Sequence, residues 1–253
     1  MKHKAPKITG LNIGTSGWSY QHWKSIFYPE TIKPSKYLEY YITQFDCVEL
    51  NSSFYHLPKE KTIDGWINRT PSYFRFCPKI SRFITHRKRL FEADEPLENF
   101  FRVFSSMKDK MGPVLVQLPP GLKYDEPRIV YFLEVLKQKY SGFRFAFEIR
   151  DKSWIRDKFF ALLTSYQMAF VIADSGNRYP YSETVTSDLV YLRLHGNEQL
   201  YATDYKMEEL RGIAIKTKNW LNQNKQVWIF FNNDYHGYAV KNAKELIDII
   251  VQM

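Results

Sequence analysis

Glu148 lies in the run Phe147-Glu-Ile-Arg150, with Arg144 four residues before it. Side chains alternate along a strand, so this spacing puts the carboxylate on one face with both arginines. Such a group is a candidate general acid or base, its pKa lowered by the arginines or raised by burial, and the sequence leaves the winner open. Glu49 and Asp174 are the candidate partner carboxylates that acid/base hydrolysis would need. His195 is followed by Gly196, which frees the backbone to turn, and it suits proton transfer or phosphate contact. A lone histidine is more often a hydrogen-bonded structural group, and the carboxylates and arginines could equally form a self-satisfied ionic lattice.

Residues 79–90 carry Lys79, Arg82, His86, Arg87, Lys88 and Arg89. Guanidinium forks match phosphate and carboxylate, so the segment reads as an anion clamp or, more plainly, as an exposed charge run. Lys79, His86, Arg87, Arg150 and Arg193 are the candidate anion contacts, and Asn51, Gln117 and Asn232 would orient polar groups of a ligand. Trp18 and Tyr55 stand in aromatic-rich stretches that could stack on a sugar or seal a core. His3, His22, His56, His86 and His236 show no metal-binding spacing, nor do Cys47 and Cys77, so no metal is expected. Gly14-Thr-Ser-Gly17 lacks the dinucleotide fingerprint, so no nicotinamide and no other cofactor is expected either.

The elements that must position these groups follow a repeating theme. Short apolar runs at 11–15, 47–51, 73–79, 114–118, 143–150, 169–174, 189–195 and 227–232 read as strands. Helical periodicity falls at 36–44, 60–68, 96–108, 128–140, 155–167, 207–222 and 238–251. Strand alternating with helix predicts a parallel α/β sheet, and eight units in 253 residues predict a single-domain TIM-type (β/α)8 barrel spanning 1–253. Only 14 residues separate Asp174 from Leu189, with Pro180 among them, so the sixth helix should be short or degenerate. An open doubly wound sheet is the alternative. Parity puts Glu49, Lys79, Arg144, Glu148, Arg150, Arg193 and His195 on the inner face, and Gln117 and Asp174 inward near the top. Barrel sites sit at the C-terminal ends of the strands, where most of these residues fall.

A formal charge of +9 and a pI near 9.3 favour anionic partners. The expected partner is a small anionic or sugar-like ligand; nucleic acid bound through the basic loop is an alternative, and glycoside hydrolysis is another. No run of 18 apolar residues occurs, so no membrane span is expected. The opening Met-Lys-His-Lys-Ala-Pro-Lys leads into no apolar signal core, and two unspaced cysteines suit a reduced, cytoplasmic setting.

Seven segments in order carry a family resemblance: Ile13-Gly-Thr-Ser-Gly-Trp-Ser-Tyr20, Val48-Glu-Leu-Asn-Ser-Ser-Phe-Tyr55, Ile84-Thr-His-Arg-Lys-Arg-Leu90, Val116-Gln-Leu-Pro-Pro120, Phe147-Glu-Ile-Arg150, Val190-Tyr-Leu-Arg-Leu-His-Gly196 and Phe231-Asn-Asn-Asp234. The chain resembles the domain-of-unknown-function 72 family, the YecE-like proteins, over nearly its full length. The resemblance implies a TIM-barrel-type fold and supplies no reaction.

Overall fold

A computed structural model describes residues 7–253; Met1 to Pro6, His3 among them, lie outside the described residues. Among the described residues there are eight strands: β1 (Leu11–Thr15), β2 (Cys47–Leu50), β3 (Arg75–Pro78), β4 (Val114–Gln117), β5 (Phe145–Glu148), β6 (Ala169–Asp174), β7 (Leu189–Leu194) and β8 (Gln226–Phe231). Six of them form a curled parallel sheet in the order β1-β8-β7-β6-β5-β4, and β2 and β3 form a separate parallel pair. The sheet is therefore laddered as a half-barrel and a pair, whereas the sequence predicts one closed ring. Single bridges, Phe76 to Met111 and Lys79 to Leu115, connect the β3 edge to β4. On the other side, the Tyr41 hydroxyl lies 3.0 Å from the Thr15 amide and 3.1 Å from the Cys47 carbonyl, tying β1 to β2 through a side chain. Gly14 permits that approach, because a Cβ there would stand 2.3 Å from the Cys47 carbonyl oxygen.

The helices are α1 (Tyr37–Tyr41), α2 (Ser52–Tyr55), α3 (Glu60–Asn68), α4 (Asp94–Val103), α5 (Glu126–Lys139), α6 (Asp157–Ser165), α7 (Met207–Asn222) and α8 (Tyr238–Gln252). Asp125 caps α5 by accepting the Arg128 amide, and Pro127 occupies its first turn. No helix spans the connection between β6 and β7, which runs through turns, bends and irregular backbone, as its breakers predict. No helix of the described residues is long and apolar enough to cross a membrane.

Alternation divides the apolar residues into two bodies. Phe145 and Phe147, Val190 and Leu192, and Val227 and Ile229 face the helices and belong to the main core. Ala146, Val171, Tyr191, Trp228 and Phe230 face the concave side with Cys47 and Cys77. Two expected inward residues belong elsewhere. Arg144 precedes β5 at the opposite end, where it bonds Asp188 and the Gln226 side chain, so it is absent from the charged cluster. Asp174 shares its face with Phe170 and Ile172 of the main core, while Ala169, Val171 and Ala173 face inward. Both faces of β6 are apolar, so parity alone had no contrast to read.

Candidate functional site

Above the concave apolar layer lies a buried ionic cluster drawn from β2, β5 and β7. Arg193 is its centre. Its Nε and Nη2 donate to the two Glu49 oxygens at 2.9 and 2.6 Å, and its Nη1 donates to Glu148 Oε2 at 2.6 Å. Glu49 also accepts the Ser16 and Tyr191 hydroxyls, both at 2.8 Å. These four donors match the lone-pair sites of a carboxylate, so Glu49 is saturated. Glu148 Oε1 takes Arg150 Nη2 at 2.7 Å and His195 Nε2 at 2.9 Å. Both glutamates are 0% exposed, a placement tolerable only because each is paired and hydrogen-bonded.

Burial would raise the Glu148 pKa, but Arg150, Arg193 and His195 together hold it well below the usual carboxylate range. His195 is pushed down to about 4, by burial first and then by Arg193. Asn232 Nδ2 donates to His195 Nδ1 at 2.9 Å, which leaves the proton on Nε2, facing Glu148. The imidazole is thus neutral at physiological pH.

At the cluster's upper edge, Lys79 Nζ donates to Gln117 Oε1 at 2.8 Å and lies 3.9 Å from the Phe54 ring centroid. Burial, followed by the Arg193 charge, lowers its pKa to about 7. Arg150 Nη2 reaches the same Gln117 oxygen at 3.3 Å. The Arg150 guanidinium stacks 3.5 Å over Tyr179, and its Nε and Nη1 are buried without a hydrogen-bond partner. Leaving such donors unpaired costs about 1–3 kcal/mol each. His86 is near enough to Lys79, Arg82 and Arg150 for them to reinforce the effect of its burial, and its pKa falls to about 4.

The structure therefore brings together Glu49, Lys79, Gln117, Glu148, Arg150, Arg193, His195 and Asn232, with His86 beside them. Asn51 stands at the flank, its Nδ2 3.4 Å from the Ser16 carbonyl and its Oδ1 buried without a partner. Trp18 meets Trp66 edge-on at 5.4 Å and, with Tyr20, Glu49 and Asn51, lines a side cavity of about 480 Å³. Tyr55 is exposed at the rim, and Arg87 is exposed on the π-helical turn Phe83–Arg87. Asp174 is not in the cluster: it accepts the Tyr205 hydroxyl at 2.9 Å and lines a cavity of about 500 Å³ where a sixth helix would lie. The basic loop is partly spent, with Lys88 on Glu92 and Arg89 on the Gly121 carbonyl.

Sequence reasoning missed Ser16, Tyr179 and Tyr201. Ser16 follows the inward parity of Gly14 and could have been found that way. Tyr179 and Tyr201 belong to irregular loops, where no periodicity assigns a face. Tyr201 has φ +66° and donates its amide to the His195 carbonyl at 2.6 Å, so its loop is drawn down over the cluster. Its hydroxyl pKa is pushed up to about 12 by burial and by Tyr179, so it remains a proton donor. Among the described residues, no group of three or more His, Cys, Asp or Glu is arranged to hold a metal ion.

Comparison with known proteins aligns with this architecture. The profile of a family described as protein of unknown function DUF72 matches residues 12–252. The chain is 25% identical to the UPF0759 protein YunF of Bacillus subtilis, covering 95% of this chain and 94% of that one. It is 30% identical over 141 residues to the UPF0759 protein YecE of Escherichia coli, covering 55% of this chain and 48% of that one. A crystal structure of a DUF72 family protein from Thermotoga maritima superposes with a TM-score of 0.84 at 30% identity, over 95% and 98% of the two chains. One from Enterococcus faecalis gives 0.81 at 20% identity, over 95% of each chain, a likeness of fold.

Proposed function

The chain belongs to the DUF72 family, and on that premise we propose that it is an acid/base enzyme whose C-terminal mouth takes a small anionic substrate. The observation that carries this reading is Arg150, buried, stacked on Tyr179 and holding two unpartnered donor nitrogens beside Lys79. An anion there would fill those donors. It would also restore the charge of a lysine whose pKa has been brought down to about 7. Lys79 is then the group that exchanges a proton near neutral pH, and Glu148, held ionised, orients Arg150 and the His195 tautomer. Closure of the eight strands into one (β/α)8 barrel belongs to the same proposal, with the two single β3–β4 bridges and the Gly14 approach as its support.

Glycoside hydrolysis is the weaker reading, since it needs a protonated carboxyl beside a free one. Here Glu49 is saturated and Glu148 is kept charged. Titration calorimetry with inorganic phosphate at pH 8, in buffers of different ionisation enthalpy, tests the proposal. Binding should be accompanied by proton uptake, because an anion beside the amine favours its charged form and raises its pKa. Arg150→Met should abolish binding. Phosphate affinity unchanged in Arg150→Met, or no proton uptake, would overturn the reading. Binding confined to nucleic acid and erased by salt would transfer function to the basic loop.

A further inference from the structure

We propose, resting on the anion site above, that Lys79 is a covalent catalytic residue whose amine forms an imine with a substrate bearing a carbonyl a few bonds from its carboxylate or phosphate group. Geometry supplies the argument. Lys79 Nζ has a neutral acceptor, Gln117 Oε1, and an aromatic face, Phe54, around it. The two nearby carboxylates are taken up by Arg193, Arg150, Ser16, Tyr191 and His195. A lysine meant only to balance charge would lie on a carboxylate, as Lys88 does on Glu92. Because Lys79 and Arg150 share one Gln117 oxygen, an anion on Arg150 brings its attached carbonyl within reach of the amine.

A lysine nucleophile needs a free lone pair, and in the unliganded protein burial with the Arg193 charge leaves a large share of Lys79 unprotonated at neutral pH. A substrate anion draws a proton onto the amine, and that proton returns to solvent before the C–N bond forms. The nitrogen lone pair forms the C–N bond as the carbonyl π pair moves to oxygen. The oxygen then takes both amine protons and leaves as water, giving a neutral imine. One further proton from solvent makes the iminium ion. Atoms and charge balance without an oxidant or a reductant.

The test uses the full chain at pH 7.5 with sodium cyanoborohydride, which reduces an iminium ion to a stable secondary amine. Pyruvate supplies a carboxylate-bearing carbonyl, glyceraldehyde 3-phosphate a phosphate-bearing one, and acetaldehyde a carbonyl without an anion. Peptide mass spectrometry should find the adduct on Lys79 at least tenfold faster with one of the anionic compounds than with acetaldehyde. The faster compound identifies the anion preferred. Inorganic phosphate should protect the wild-type protein, a control that needs no variant, and Lys79→Arg should carry no adduct at that position. Adduct spread over exposed lysines at equal rates, or Lys79 labelling as fast with acetaldehyde, overturns the proposal. Phosphate binding without any Lys79 adduct removes the imine and leaves the anion site standing. Absence of phosphate binding to the wild type removes the anion site and with it this proposal.

Discussion

Replacing Arg193 with methionine isolates what holds the buried cluster together. The side chain is 1% exposed and supplies three donors, two to Glu49 and one to Glu148. Methionine keeps most of the volume and removes the charge, so both carboxylates lose a guanidinium while remaining out of water. Breaking a buried ion pair from one side costs about 3–5 kcal/mol. At about 2–4 °C per kcal/mol for a chain of this length, the midpoint should fall by roughly 10 °C. The deficit should depend on pH. In the wild type, Glu148 has a depressed folded-state pKa, so its stabilising contribution is present above the unfolded carboxylate pKa and disappears as pH falls through the folded one. In the variant that pKa rises, so protonation relieves the strain and the gap to wild type narrows toward pH 5. Urea unfolding of both proteins at pH 7.5 and pH 5 measures this, with equal m-values confirming the same transition. A second cycle with Glu49→Gln should show the double variant costing less than the sum of the two single changes. A loss under about 1 kcal/mol, or a deficit equal at both pH values, would refute the claim that Arg193 neutralises two desolvated carboxylates.

Two further outcomes follow from the same geometry. His195, buried and neutral with its pKa lowered to about 4, binds fewer protons folded than unfolded between that value and about 6.5, so its contribution to stability falls as pH drops through that window. Wild-type stability should therefore decline more steeply than that of His195→Gln between pH 7 and 4.5, and parallel urea-derived curves would contradict this assignment. Gly14→Ala would place a Cβ 2.3 Å from the Cys47 carbonyl oxygen and should cost about 1–3 kcal/mol, read by thermal unfolding; an unchanged midpoint would mean that β1 and β2 are not held at this distance.

Most strands were legible because their two faces differ. β5 and β7 alternate aromatic or aliphatic residues with charged ones, and the structure places Glu148, Arg150, Arg193 and His195 together as that alternation implies. β6 was legible as a strand and not as to its faces, since Phe170 and Ile172 contrast only in size with Ala169, Val171 and Ala173. Asp174 was misplaced for that reason. Arg144 has the right parity and the wrong height, and height along a strand depends on sheet register, which pairing decides and composition does not record. The ladder gaps beside β2 and β3 were equally hidden, because a strand that borders its neighbour through a tyrosine hydroxyl reads like one that shares a ladder. The loops that bring Tyr179 and Tyr201 over the cluster carry no periodicity at all. Whether the arginines or burial would govern Glu148 needed distances of 2.6 and 2.7 Å, and those exist only in three dimensions.

The way the cluster is divided along the chain constrains how the protein can be made. Glu49 and Glu148 belong to strands that are synthesised well before Arg193 on β7, and β1 finds its ladder partner only when β8 has emerged. Until then the part of the chain already made holds carboxylates that cannot leave water without large cost, and an edge of β1 with no strand to accept it. Compaction of the concave side must wait for a guanidinium that arrives late. The buried charges thus also imply an order of events at the ribosome, with the nascent chain hydrated at its centre until the residue that neutralises it has been added.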